Sequence, residues 1–203
     1  MLDFSKIKIG IINLNINNLY SIYNAFRCIG FKTSIIEKKI DNFDFIVLPG
    51  IGSFKLGINS LKKNNLIDTL NEKILIKKKK IIGICLGMQL LFSKSYEYGL
   101  TKGLNFINGS VKKFKKKKIF IPVMGWYKTT SSIHTLNNKY FYHTHSYYCE
   151  PNNKKMVVAK TNYEKLSYCS AISSENILGF QFHPEKSGIN GLNLLKKIPS
   201  FFL

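Results

Sequence analysis

The sequence predicts an α/β fold: a parallel sheet with helices on both faces, continued by an antiparallel β extension. Two observations carry this reading. Short apolar runs alternate with helix-period segments through the first half, the order a parallel sheet requires. Beyond that point, short strand patterns separated by turn residues take over until a final helix. A third observation bounds the answer. The 203 residues, 45% of them hydrophobic, suffice for one large core, and neither an internal repeat nor a Pro/Gly/Ser-rich linker divides them. Residues 1–203 are therefore expected to form a single domain.

Residues 7–12 are the first β-like run. Residues 18–29 have helical spacing through Leu19, Ile22, Tyr23 and Phe26, and Gly30 follows as a natural helix-ending residue. Residues 33–36 and 43–48 read as strands, the second stopped by Pro49-Gly50. Helical patterns fill 54–63 and 66–77, the apolar run 81–84 is a strand, and 88–92 is helix-like. In the second half, 111–114, 119–123, 140–149, 156–160, 167–173 and 177–182 are strand candidates. Glu175-Asn176 reads as the hairpin turn into the last of these, and 189–197 closes the chain as a helix.

The net charge of +20 invites a nucleic-acid partner. The charge is nearly all lysine, however, and Arg27 is the only arginine, whereas bidentate phosphate and base recognition leans on arginine. Abundant Lys, Asn, Ile, Tyr and Phe beside three alanines is the signature of AT-rich codons, so no nucleic-acid partner is expected. The lysine runs 77–80 and 112–118 are read as solvated loop or edge positions. No stretch of 18 apolar residues is present and the start lacks the pattern of a signal peptide, so no membrane association is expected. Cys28, Cys85, Cys149 and Cys169 show no CxxC spacing, which suits reduced thiols and a cytoplasmic location.

The chemistry concentrates at three strand ends, where sites form in open α/β sheets. The run 81–84 leads into Gly83-Ile84-Cys85-Leu86-Gly87. A nucleophile with glycine two residues to either side, between strand and helix, reads as a nucleophile elbow. A helix start beyond it favours a thiolate and an oxyanion. A buried structural cysteine is the alternative for the motif taken alone. The run 177–182 leads into His183-Pro184-Glu185. A thiol near pKa 8.5 needs a histidine to take and return its proton, and a carboxylate holds that imidazole in the right tautomer. Pro184 favours extended backbone at His183, which puts Glu185 on the same side. The run 43–48 leads into Pro49-Gly50-Ile51-Gly52, either a simple β-to-α turn or a set of N–H donors for developing negative charge. His143-Thr144-His145 places two imidazoles on one strand face, but no third ligand at recognisable spacing accompanies them, so no metal is expected.

Residues 83–91 together with His183-Pro184-Glu185 resemble the class I glutamine amidotransferases. Met88, Pro122-Val123-Met124-Gly125-Trp126, His145-Ser146-Tyr147 and the segment 181–187 are similar to one branch of that family, the glutaminase subunits of imidazole glycerol phosphate synthase. The resemblance spans about residues 7–197. It implies a flavodoxin-like amidotransferase fold without a cofactor. It implies hydrolysis of L-glutamine through a thioester on Cys85, with His183 and Glu185 completing the catalytic set. Ammonia would pass to a (β/α)8 cyclase subunit in a heterodimer of histidine biosynthesis. The resemblance further implies oxyanion donors at the Ile51 and Leu86 backbone, and substrate contacts at Gly50, Gly52, Gln89, Glu97, Ser146 and Tyr147. It implies a partner interface that includes Asn13, Asn18, Met124, Trp126 and Lys186; Trp126 read alone is equally core filler.

The chain departs from the branch in places. Asn15 and Asn17 stand where glycines are usual, and asparagine is among the few residues that tolerate left-handed backbone. Val123 replaces a histidine and Tyr127 an asparagine near the expected interface. Two competing readings remain at this level: a non-catalytic scaffold that has kept the fold, and a stand-alone cysteine hydrolase. The first would lack glutaminase activity with the cyclase present, and the second would act on peptides or small amides without any partner.

Overall fold

The computed structural model describes residues 3–15, 19–114 and 120–202. In chain order the first half contains β1 (Lys8–Ile12), α1 (Leu19–Ile29), β2 (Lys32–Ile36), β3 (Phe45–Leu48), α2 (Phe54–Lys63), α3 (Leu66–Leu70), β4 (Lys80–Ile84) and α4 (Leu86–Leu90). The second half contains β5 (Phe92–Ser95), β6 (Thr101–Lys102), β7 (Ile107–Lys113), β8 (Val123–Ser131), β9 (Tyr140–His145) and β10 (Tyr147–Pro151). It ends with β11 (Val157–Tyr163), β12 (Leu166–Ser174), β13 (Ile177–Phe180) and α5 (Gly188–Lys196).

The parallel part of the sheet has the order β2-β1-β3-β4-β13. It continues antiparallel through β12, β10 and β7, then to β5, parallel to β7, and β6. The strand β11 pairs with both β12 and β8, and β9 lies beside β8. Strand period explains why the parallel strands are apolar throughout. In β3, Ile46 and Leu48 face the core under α2, α3 and α4, while Phe45 and Val47 face the core under α1 and α5. Both faces are covered, so no position can be polar without cost. The hairpin at Glu175-Asn176 forms as expected, with Glu175 at φ 40°.

Several expectations are corrected. The helix after the elbow stops at Leu90 because the carbonyls of Leu90, Leu91 and Phe92 accept hydrogen bonds from the amides of Leu104, Phe106 and Asn105; Phe92 already belongs to β5. The helix expected over 66–77 keeps α geometry only to Leu70, and Asn71–Ile76 winds as a π-helix. The run 140–149 breaks at Ser146 into β9 and β10, which pair with different strands. Residue 119 lies outside the described residues, and Val123 opens a nine-residue strand instead of ending one. The lysine runs are not simply solvated edges. Lys80 begins the internal strand β4 with its Nζ over Phe45 and Phe202, and Lys112 and Lys113 lie in the internal strand β7. Residues 115–118 lie outside the described residues.

Candidate active site

The C-terminal ends of β3, β4 and β13 lie side by side, and the three loaded turns meet there. Cys85 takes φ 52° and ψ −107°, a conformation costly for an L side chain. Hydrogen bonds over-determine it: Cys85 N–H donates to Phe180 O at 2.7 Å, and Gln89 N–H donates to Cys85 O at 3.2 Å. The flanking glycines are demanded by close approach. A Cβ on Gly83 would come within 2.6 Å of Met88 Cα, and one on Gly87 within 1.7 Å of Leu48 O. The elbow thus follows from packing of α4 against the ends of β3 and β4.

His183 is fully buried, and its backbone N–H donates to Tyr142 O at 2.9 Å. Its Nδ1 lies 2.7 Å from Glu185 Oε1, with both side chains sealed from solvent. The contact arises differently from the extended-chain expectation: Pro184–Lys186 is a 3-10 turn that brings the carboxylate back to the ring. Burial opposes charge on His183, but the Cys85 thiolate and the Glu185 carboxylate outweigh it and raise the imidazole from 6.5 to about 10. Nε2 makes no hydrogen bond of ordinary length, and Cys85 is the neighbour that most favours the charged ring.

Cys85 borders a cavity of about 540 Å³. Its wall includes Ile51, Gly52, Leu86, Gln89, Glu97, Ser146, Tyr147 and Lys186, each singled out from the sequence. Gly50 lies behind this wall, packed on Leu86. Glu97 Oε2 accepts from Phe54 N–H at 2.5 Å and so tethers the start of α2, next to the turn 49–52. Burial raises the Glu97 pKa, opposed by that N–H. In the turn itself Gly50 O accepts from Leu86 N–H at 3.3 Å. The Leu86 amide is therefore engaged by protein and not presented to the cavity.

Met124 and Trp126 sit on the exposed face of β8, each more than half exposed, so Trp126 is not core filler. Val123 and Tyr127 point the other way: Val123 is buried with Phe114, Tyr163 and Tyr168, and Tyr127 packs on that cluster. The two departures therefore change the interior of β8, not the face that carries Trp126. Asn15 sits at φ 54° with its N–H on Asn13 Oδ1 at 2.8 Å, as a glycine replacement must. Asn17 and Asn18 lie outside the described residues.

Residues without a sequence-derived role also reach the site. His143 and His145 bond to each other (Nδ1 to Nε2, 3.2 Å) and onward to Tyr168 Oη and Tyr147 O. Their same-face spacing was visible, but their partners come from β10 and β12. Gln181, one residue beyond β13, lies against Cys85; its motif was visible and its contact was not.

Comparisons with known proteins bear on the family and the fold. A family model described as glutamine amidotransferase class-I matches residues 11–197. Imidazole glycerol phosphate synthase subunit HisH 2 of Methanococcus maripaludis is 42% identical over 197 residues, covering 93% of this chain and 96% of that protein. The corresponding hisH subunit of Cyanidium caldarium is 42% identical, covering 96% and 99%. A crystal structure of a glutamine amidotransferase superposes with a TM-score of 0.75 at 13% identity, covering 93% of this chain and 96% of that one, which speaks for the fold alone. The chain belongs to the class I glutamine amidotransferases, and within them to the family of imidazole glycerol phosphate synthase HisH subunits. It is an enzyme of the glutamine amidotransferase type.

Proposed function

We propose that this cavity hydrolyses L-glutamine to glutamate and ammonia, with Cys85 as nucleophile, His183 as proton carrier and Glu185 as the group that holds His183. The observation that carries the reading is a strained, wall-lining thiol beside a buried imidazole whose Nδ1 lies 2.7 Å from a buried carboxylate; Cys85 first and Glu185 second favour the protonated ring. The thiolate attacks the carboxamide carbon and forms a C–S bond. His183 gives its proton to the departing nitrogen as the C–N bond breaks and ammonia leaves. Water then attacks the thioester, His183 takes its proton, and the thiolate leaves as glutamate forms. Gly50, Gly52, Gln89, Glu97, Ser146 and Tyr147 hold the substrate, with Glu97 a suitable partner for its ammonium group.

The oxyanion of each tetrahedral state needs N–H donors, which we assign to Ile51 and Leu86. Each is worth roughly 3 kcal/mol. Because Leu86 N–H is held by Gly50 O, the turn 49–52 must reorient before that donor is free. A partner that binds only the reoriented turn would favour it by its differential affinity for the two states. We infer that this partner is a (β/α)8 cyclase subunit forming a heterodimer, docked on a face that includes Asn13, Asn18, Met124, Trp126 and Lys186. Ammonia would pass across it into the synthesis of imidazole glycerol phosphate and aminoimidazole carboxamide ribotide. Residues 1–203 act in this reading as one amidotransferase domain in a reducing cytoplasm, consistent with four free cysteines. No helix among the described residues is long and apolar enough to cross a membrane.

The test is steady-state glutaminase activity of the chain alone, with cyclase, and with cyclase plus its nucleotide ligand, in parent and Cys85→Ala. The parent is expected to be weak alone and strongly stimulated in the full complex. Cys85→Ala should lose at least about 10³-fold in every state, while added ammonium still drives the cyclase. Retained glutaminase activity in the Cys85→Ala complex would overturn the assignment.

A further inference from the structure

A chain of buried amides reaches Cys85 from the antiparallel side of the sheet. Gln181 is fully buried, two residues before His183, with its backbone N–H on Ser170 O at 2.9 Å. Gln89 Nε2 lies 3.2 Å from Tyr147 O and 3.2 Å from Gln181 Oε1. Gln181 Nε2 lies 3.9 Å from Cys85 Sγ, and Cys149 Sγ lies 3.8 Å from Gln181 Oε1.

One backbone carbonyl fixes the direction of the whole chain. Tyr147 O can only accept, so the Gln89 atom that meets it is the amide nitrogen. The second hydrogen of that NH2 goes to Gln181, so the atom it meets there is oxygen. Cys149, whose thiol burial pushes well up and keeps protonated, donates to the same oxygen. The opposite end of the Gln181 amide is then N–H and faces the nucleophile. If both amides were reversed, the Gln181 carbonyl would face a thiolate and the Gln89 carbonyl would face Tyr147 O, two repulsive contacts in place of two attractive ones.

We propose that Gln181 is a positioning donor for the nucleophile: its side-chain N–H stabilises the Cys85 thiolate and links it, through Gln89, to the Tyr147 segment of the cavity wall. The proposal rests on the reading of Cys85 as nucleophile and deepens it. Thiolate position and the substrate-contacting wall then keep one register, because a shift of β10 moves Gln89 and, through it, Gln181.

The test is alkylation of Cys85 by iodoacetamide across pH, located by mass spectrometry, in parent, Gln181→Glu and Gln181→Met full-length chains, beside their glutaminase kinetics with cyclase. Gln181→Glu replaces a donor by an anionic acceptor. It should move the pH midpoint up by about one unit, slow alkylation at neutral pH by up to about tenfold, and lower kcat more than it raises KM. Gln181→Met removes the donor without adding charge and should fall between. A purely structural role would change thermal stability and leave the midpoint unmoved, and an unmoved midpoint in a folded variant overturns the proposal. A measurement on the unaltered chain needs no variant to fold. The side-chain 15N–1H signals of Gln181 should shift as Cys85 ionises and should not do so in Cys85→Ser; signals indifferent to that ionisation overturn the proposal equally. The two readings fail separately. If Cys85 is not the nucleophile, Cys85→Ala stays active; if only the relay is wrong, Cys85→Ala is inactive while the alkylation profile of the Gln181 variants matches the parent.

Discussion

His183 and His145 are both buried imidazoles close enough to feel each other's charge, yet the fold raises the first to about 10 and lowers the second to about 3. For both, burial is the largest influence and works against the charged form. The difference lies in the neighbours. His183 has the Glu185 carboxylate on one nitrogen and Cys85 beyond the other. His145 has only a backbone carbonyl, Tyr147 O at 2.9 Å, and a second imidazole, His143. A carbonyl fixes a tautomer without supplying the charge that keeps a proton. The charge on His183 further lowers both neighbours. One region therefore holds a proton, and the adjacent region is kept neutral.

After Cys85, the Glu185 carboxylate is the second charge that raises His183, and removing it tests the contrast most strongly. Glu185→Gln retains an acceptor for Nδ1–H but deletes the carboxylate. The variant complex should lose about 10²–10⁴ in kcat for glutamine hydrolysis. An unchanged rate would mean that the carboxylate does not sustain the His183 proton. Sharper still is the pH profile of the unaltered complex. The folded pKa of His183 is raised, so its proton is retained as pH climbs through 6.5 and is given up only near 10. An imidazole of ordinary pKa would keep its proton in about one molecule in a hundred at pH 8.5. Activity in the parent should therefore show no loss of that size between pH 6.5 and 8.5. A fall of about fiftyfold across that interval would show that His183 titrates like an exposed histidine.

The two regions also differ in how far the sequence exposes them. Gly83, Cys85 and Gly87 lie within five residues, and His183 and Glu185 within three, so the elbow and its proton carrier could be read from local spacing. The parallel core was legible for a related reason: strands buried on both faces must be apolar throughout. The opposite wall draws on β9, β10 and the segment before β8, with Tyr142, Thr144, His145, Tyr147, Ile121 and Pro122, which other strands of the antiparallel region bring together. In β8, only one face packs inward, and Lys128 and Thr130 on the other hide a nine-residue strand. The His143–His145 pair was visible as a same-face pair. Tyr147 O lies only two residues from His145, but that Tyr168 would meet His143 depends on the placement of β12, which no spacing encodes. Gln181 was part of a recognisable motif, but its direction follows from Tyr147 O through Gln89, three elements away from one another.

The smallest expected effect concerns the neutral region, and it appears in stability. In the unfolded chain both imidazoles take up a proton near pH 6.5. In the folded protein His145 remains neutral down to about 3, and His143 is lowered well below its ordinary value by burial, His145 and His183. Below pH 6.5 the unfolded state therefore binds more protons than the folded state, and stability must fall as pH falls. The stability each neutral imidazole preserves is present above pH 6.5 and is lost progressively between 6.5 and the folded pKa. For His145 this amounts to about 2 kcal/mol between pH 6.5 and pH 5, and His143 acts in the same direction. His143→Phe keeps a ring among Tyr127, Tyr168 and Phe182 that cannot titrate; losing the bonds to His145 and Tyr168 lowers stability at every pH, so the readout is the pH slope and not the offset. Denaturant unfolding of parent and variant at pH 5, 6, 7 and 8 separates this slope from that of the carboxylates, which both chains share. The variant should lose less stability than the parent between pH 6.5 and pH 5, because its ring takes up no proton when the chain unfolds. Parallel curves for the two chains would mean that His143 accepts a proton in place, and the contrast with His183 would then be one of degree and not of sign.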